Sequence, residues 1–205
     1  DYTMCAISGI EGLKPTFDII KFTKNIGIAN KESIICGWSF IKKEIKKNKT
    51  NFIPIDSEHF SIWSLVKNDI HKINEIILTA SGGPFLNKSK KFVNKVKPID
   101  ALKHPNWSMG QKISVDSATM MNKVFEVIEA KKIFNLNQNK FKILIHPKSY
   151  IHAIVKYENG LIKMLAHDTN MNIPIFNFLY HDRSNKIKTN PINLSLLNDL
   201  SLFKP

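Results

Sequence analysis

Short apolar runs alternate with helix-length amphipathic segments through the first two thirds of the chain, a pattern that predicts α/β units around a largely parallel sheet. Lys14 to Lys24 reads as a helix and Ile26 to Ala29 as a short buried strand. Ser33 to about Lys46 predicts a second helix whose last turn carries lysines, where the helix dipole favours cations, and Lys46 to Asn51 reads as a polar loop. Phe52-Ile53-Pro54-Ile55 predicts a brief strand, followed at once by Asp56-Ser57-Glu58 and a helix containing Phe60, Trp63 and Leu65. Acids therefore stand at the carboxyl end of a strand. Glu75 to Ala80 is a further strand that runs into Ser81-Gly82-Gly83-Pro84, and a strand emptying into a glycine-rich loop is where open α/β sheets bind ligands.

Phe85 to Ile113 shows little periodicity and many turn residues, so a mobile functional loop is expected there. Asp116 or Ser117 is expected to cap a helix through Ala130, with Val124, Val127 and Ile128 on its buried face. Lys142 to Ile145 predicts a strand ending at His146-Pro147. Ile151 to Tyr157 and Leu161 to His167, joined by Glu158-Asn159-Gly160, predict a β-hairpin, an α+β feature. After Arg183 the tail is polar and irregular. It closes on an apolar stretch, Leu194 to Phe203, with nothing after it to pack against, so the chain reads as cut from a longer protein at both ends.

Composition narrows the function classes. With 205 residues, 43% hydrophobic and 10% aromatic, the chain can bury a core in one or two domains. Cys5 and Cys36 have no CxxC spacing, which excludes a disulfide scaffold and a thiolate zinc site and suggests a reducing interior. No apolar run approaches the ~20 residues of a membrane span, and Asp1-Tyr2-Thr3-Met4 lacks a signal-peptide layout. The net charge of +13 raises the question of nucleic acid, but Arg183 is the one arginine among 30 basic residues. Base readout leans on the planar guanidinium, so a nucleic-acid-binding domain ranks last among the function classes.

Three acids invite a metal. Asp56 and Glu58 are two residues apart, so in an extended segment both project to one side, and Glu126 lies one turn beyond Asn122 and Lys123 on the later helix. Three convergent carboxylates repel unless a hard cation such as Mg²⁺ or Mn²⁺ neutralises them. The competing reading makes Asp56 an N-cap and Glu58 a first-turn dipole partner. Ser81-Gly82-Gly83 offers N–H groups and a hydroxyl to an anion, and Ser117, Asn122 and Lys123 add donors to a phosphate; a common turn and ordinary capping are the alternatives. In His104-Pro105-Asn106-Trp107-Ser108-Met109-Gly110, Trp107 and Met109 suit closure over a ligand, or else Trp107 pins the loop. His59, His71, His146, His152, His167 and His181 lack the spacing of a metal motif and read as structural.

Ala29-Asn30-Lys31-Glu32-Ser33, Pro54 to His59, Ser81 to Phe85, His104 through Gly110 continuing as Lys112 to Lys123, and Glu126 with Ile128-Glu129-Ala130 form five ordered blocks. Taken in that order, they closely resemble the 1-deoxy-D-xylulose 5-phosphate reductoisomerase family. The resemblance implies the NADPH-dependent conversion of 1-deoxy-D-xylulose 5-phosphate to 2-C-methyl-D-erythritol 4-phosphate in the non-mevalonate isoprenoid pathway. It implies metal ligation by Asp56, Glu58 and Glu126, which with Lys123 form the catalytic set. Substrate would be held by Ser57, Ser81, His104, Trp107, Met109, Ser117, Asn122 and Lys123, and cofactor by Asn30, Lys31, Glu32 and Met171.

The implied fold is the end of a Rossmann-like NADPH domain (1–30), then an α+β catalytic domain (31–183) with a lid at about 86–113. A linker (184–205) would lead toward a C-terminal helical domain. The resemblance further implies a homodimer, inhibition by phosphonate hydroxamates, no nucleic-acid or membrane partner, and a plastid (apicoplast) location if eukaryotic or a cytoplasmic one if bacterial. The rival reading in another class is a binding-only fragment that takes up metal and phosphosugar without turnover.

Overall fold

Isoleucine-rich strands separated by amphipathic helices fold into a parallel sheet at the start of the chain: β1 (Tyr2–Cys5), β2 (Asn25–Ile28) and β3 (Asn51–Pro54), in that spatial order. The computed structural model describes residues 1–69, 71–181, 183–190, 192–193 and 200–205. Helix α1 (Leu13–Ile19), extended by a 3₁₀ turn at Ile20–Phe22, makes the first crossover. Helix α2 (Lys31–Asn48) makes the second. On one side of the sheet Ile20, Ile26, Ile28, Ile34, Trp38 and Ile41 bury together. On the other, Ile53, Ile55 and Phe60 pack with Phe178. Gly27 is required at that seam, because a Cβ there would stand 2.9 Å from Ile55 and 3.0 Å from Phe178. These strands and helices, with α3 (Ser57–Val66), residues 126–138 and α8 (Asn172–Leu179), form one compact unit of residues 1–70, 126–138 and 171–189.

The second unit holds residues 71–125, 139–170 and 190–205. Its sheet is mixed, with the order β5-β4-β6-β7. Strand β4 (Ile73–Ala80) runs parallel to β5 (Phe141–Ile145) and antiparallel to β6 (Ile151–Tyr157), which forms the expected hairpin with β7 (Ile162–Ala166). The fold is thus the expected passage from α/β to α+β. Among the described residues no helix is long and apolar enough to cross a membrane.

Several local expectations are corrected. Asn30 caps α2 by accepting the Ser33 N–H, so the helix starts before Ser33; its lysine-rich end stays helical through Asn48, and the polar loop shrinks to Lys49, left-handed at φ 55°, and Thr50. The segment from Phe85 to Ile113 is not without regular structure. It holds one-turn helices α4 (Lys90–Val93), capped by Ser89, and α5 (Pro98–Ala101), started by proline, and it enters a further helix at Gln111.

The helix expected from Asp116 or Ser117 to Ala130 is two helices, α6 (Gln111–Ala118) and α7 (Met121–Phe134). Neither Asp116 nor Ser117 is a cap, since both lie in the last turn of α6. The break has a local cause: the Thr119 hydroxyl donates back to the carbonyls of Val115 and Asp116, and Met120 is left-handed at φ 60°. On α7 the buried face is not the apolar stripe either. Val124 is 47% exposed, whereas Lys123, Glu126 and Glu129 are buried. Of the apolar stretch Leu194 to Phe203, residues 194–199 lie outside the described residues. Its end does find packing: Phe203 bridges antiparallel to Ile145, and Leu202 packs on Ile77, Tyr150, Ile151 and Ile154.

Candidate active site

The carboxyl ends of the parallel strands organise the carboxylate cluster of the first unit. Ile55 bonds to the carbonyl of Ile28, so Asp56 leaves the sheet as the residue preceding α3. Its carboxylate makes no capping bond. Instead Oδ2 lies 3.0 Å from the ammonium of Lys31, the first residue of α2, whose cap follows β2. The capping reading of Asp56 is therefore set aside by its own geometry. Glu58 sits in the first turn of α3 and accepts the Ser57 hydroxyl at 2.6 Å. Glu126 comes from α7 and is buried; its Oε1 is 4.0 Å from the Lys31 ammonium.

One oxygen from each of Asp56, Glu58 and Glu126 lies within 4.8 Å of the others. A second group shares Asp56 and adds His59 and Glu129 over the same span. His59 is fully buried, donates from Nε2 to the backbone oxygen of Glu126 at 2.9 Å, and turns Nδ1 toward Glu129 Oε2 at 3.5 Å and Asp56 Oδ2 at 3.7 Å.

Electrostatics follow from this packing. Burial opposes the charge on Lys31, but Asp56, Glu126 and Glu129 outweigh it and hold the ammonium above its ordinary range. Burial likewise opposes the charge on Asp56, and Lys31 with His59 overcomes it, so this carboxyl stays well below the usual carboxylate range. For His59, desolvation is overcome by Glu129 and Asp56 and the imidazole is pushed up to about 9. Glu129 moves the other way, to about 7, because burial outweighs the attraction of His59. Lys31 and His59 thus stand against Asp56, Glu126 and Glu129, and the three convergent carboxylate oxygens of Asp56, Glu58 and Glu126 are the donor set Mg²⁺ or Mn²⁺ takes.

The second unit assembles the anion-binding candidates. β4 delivers Ser81 into a loop where Gly82 and Gly83 have φ of 88° and 69°, so the backbone N–H groups turn as a nest requires. Gly83 passes so close to α6 that a Cβ would stand 2.9 Å from the Ser117 carbonyl oxygen. The Ser81 hydroxyl accepts the Gly83 N–H at 3.1 Å and lies 2.9 Å from His104 Nε2. Asn122 and Lys123 occupy the first turn of α7, where N–H groups and the helix dipole favour an anion, and Lys123 is buried. Trp107 is half-buried and meets His152 edge-on at 5.9 Å between ring centres; the neighbouring Asn106 amide donates to Ser149 Oγ at 2.8 Å and to the Pro147 carbonyl. Met109 is also half-buried.

Among the expected cofactor residues, the side chain of Asn30 ties α2 to the Ile7 and Gly9 carbonyls. Glu32 is half-buried in the first turn of α2, and Met171 packs on the Ile53–Phe178 cluster. The sequence reading missed the parts played by His59 and Glu129, and it did not place Lys31 against the carboxylates. A signal existed. Asp56 with His59 and Glu126 with Glu129 are spaced i,i+3, which stacks each pair on one helical face.

Two family models match the chain: "1-deoxy-D-xylulose 5-phosphate reductoisomerase" over residues 1–37 and "1-deoxy-D-xylulose 5-phosphate reductoisomerase C-terminal domain" over 52–134. A relative of that name from Pelagibacter ubique (strain HTCC1062) is 65% identical over 205 residues, covering 100% of this chain and 53% of the relative. One from Wolbachia pipientis wMel is 48% identical over 176 residues, covering 85% and 46%. A crystal structure of DOX-P reductoisomerase in complex with NADPH, fosmidomycin and magnesium superposes with a TM-score of 0.93 at 38% identity, covering 100% of this chain and 53% of the other. The Zymomonas mobilis enzyme in complex with NADPH gives 0.88 at 35% identity, with coverage of 100% and 53%. The chain spans about half the length of the relatives it matches.

Proposed function

Because the chain belongs to the 1-deoxy-D-xylulose 5-phosphate reductoisomerase family, we propose that the protein containing it converts 1-deoxy-D-xylulose 5-phosphate to 2-C-methyl-D-erythritol 4-phosphate with NADPH and a divalent metal. The observation that carries this reading is the meeting of the half-buried Asp56 and Glu58 with the buried Glu126, one oxygen of each within 4.8 Å of the others. These three carboxylates would hold Mg²⁺ or Mn²⁺. The ion supplies Lewis acidity toward neighbouring carbonyl and hydroxyl oxygens of a sugar, and NADPH supplies the hydride.

The chain's own residues then have definite tasks. Lys31 and His59 keep the ligand carboxylates ionised and fix their orientation. Ser57, whose proton is held by Glu58, is placed to exchange that bond for one to a substrate hydroxyl. Ser81, Ser117, Asn122 and Lys123 hold the phosphate, which supplies orientation and binding energy remote from the reacting carbons. Trp107 and Met109 close over the substrate and exclude water. Asn30, Lys31, Glu32 and Met171 are assigned to the cofactor side.

By resemblance the division would be the end of an NADPH domain (1–30), a catalytic domain (31–183) with its lid at about 86–113, and a linker (184–205), while the family models change later, between residues 37 and 52, and residues 1–70 pack in one compact unit. A homodimer is supported by β7, an outer sheet edge that exposes Ile162 and Met164. The relatives named above are bacterial, which favours a cytoplasmic location over a plastid one.

The test is NADPH oxidation by the full-length protein with the phosphosugar and Mg²⁺, alongside Glu126→Gln. Turnover that falls by about a hundredfold or more in the variant, with the unfolding profile kept, is expected, since this residue touches the reacting assembly. Near-normal turnover in the variant would refute the metal assignment; no turnover in the parent would favour the binding-only reading.

A further inference from the structure

In the segment after the glycine loop, three bonds decide the protonation of one imidazole. The backbone N–H groups of Asn106 and Trp107 both donate to His104 Nδ1, at 3.2 and 3.0 Å. A ring nitrogen that accepts carries no proton, so the neutral ring holds its proton on Nε2. Nε2–H is then the donor in the 2.9 Å contact with Ser81 Oγ. That oxygen also accepts the Gly83 N–H at 3.1 Å. Both lone pairs of the hydroxyl are engaged, and its own proton points along the remaining tetrahedral direction.

We propose that His104 is a positioning residue held as the neutral Nε2–H tautomer, which makes Ser81 an obligate donor to an anionic oxygen and anchors the start of the Trp107 segment. This rests on the reading of Ser81 as a phosphate ligand. An unrestrained serine hydroxyl accepts or donates equally well, whereas the oxygens of a phosphate monoester dianion only accept. Removing the choice favours the dianion. An imidazolium at this position would aim Nδ1–H at two backbone N–H groups, so positive charge for the phosphate comes from Lys123 and not from His104. Burial, which disfavours the charged ring, works in the same direction. The same imidazole serves both contacts: Nε2 sets the ligand hydroxyl, and Nδ1 closes the turn that leads into Trp107.

Two substitutions separate the two nitrogens. In His104→Asn the side-chain oxygen stands near the place of Nδ1 and keeps the turn, but the amide does not reach Ser81. In His104→Gln the amide nitrogen stands near the place of Nε2 and still donates to Ser81, but the turn loses its acceptor. In the full-length enzyme, His104→Asn is expected to weaken binding of inorganic phosphate about tenfold, and Ser81→Ala to add little to it on that background. His104→Gln should keep phosphate affinity within about threefold of the parent and lower kcat for the phosphosugar. Nitrogen-15 NMR of the unmodified enzyme at neutral pH should show a protonated Nε2 and a bare Nδ1 for this ring. An imidazolium or an Nδ1–H tautomer would overturn the proposal, as would parental phosphate affinity in His104→Asn or full additivity of the His104→Asn and Ser81→Ala effects. The NMR and phosphate readouts need neither metal nor NADPH, so a failure of the proposed reaction leaves them separately decidable.

Discussion

Replacing Lys31 by Met probes the charge balance of the metal centre directly. The ammonium is buried, 3.0 Å from Asp56 and 4.0 Å from Glu126. At an effective dielectric of ~20, attractions over such distances are worth about 5 and about 4 kcal/mol, offset by the cost of desolvating the ammonium. Removing one member of a buried ionic group typically costs ~3–5 kcal/mol, because the remaining charges lose their compensation. Asp56, Glu126 and Glu129 would then lose a buried counter-charge. The metal-free Lys31→Met protein should therefore lose about that much stability in denaturant unfolding of the full-length protein. Saturating Mg²⁺ should return a larger share of stability to the variant than the ~3 kcal/mol that a ligand at a hundred times its Kd returns by mass action alone. A loss below about 1 kcal/mol, or an equal loss with and without Mg²⁺, would refute the view that Lys31 stands in electrostatic balance with a divalent ion.

Other outcomes follow from the same geometry. His59 rises from its ordinary value to about 9, so its contribution is fully present below about pH 6.5 and is lost as pH rises through about 9. Glu129, raised to about 7, also loses stability as pH rises through that value. The metal-free protein should therefore weaken by a few kcal/mol between about pH 6 and 9, and Glu129→Gln should flatten that slope in pH-resolved unfolding; an unchanged slope would exclude the pair as its source. Ser81→Ala should raise KM for the phosphosugar about tenfold with a smaller change in kcat, as loss of one hydrogen bond to a charged group predicts, and steady-state kinetics decides. Gly83→Ala places a Cβ 2.9 Å from the Ser117 carbonyl oxygen at a φ of 69°; it should cost about 1–3 kcal/mol in thermal unfolding and weaken phosphate binding, and a neutral result would show that the loop yields freely.

Much of the fold could be read from the chain because its signals are local. Ile26 to Ile28, Phe52 to Ile55 and Ile76 to Leu78 carry the β-branched runs of buried strands, and Asn159-Gly160 supplies the turn of the hairpin. Helix ends were less legible. Capping depends on where a side chain turns: Asp56 looks like a cap and faces Lys31, while Asn30, noticed for cofactor binding, caps α2. The most instructive misreading is α7. Hydrophobic periodicity selects Val124, Val127 and Ile128 for the core, yet the buried face carries Lys123, Glu126 and Glu129. The rule that apolar residues face inward fails where burial holds charges for chemistry, since mutual compensation replaces hydrophobic gain.

The order of short blocks along the chain was enough to identify the family and to nominate three ligand carboxylates, since those residues lie in contiguous motifs whose types limit the chemistry. What the sequence could not settle was which charges meet. Lys31, Asp56 and Glu126 stand far apart in the chain and come together only when two strand ends and a distant helix pack, and the protonation of His59 and Glu129 is set by their meeting across those segments, whereas the turn that sets His104 is local. Local sequence dictates strands and turns because they depend on neighbours in the chain; electrostatic state depends on neighbours in space.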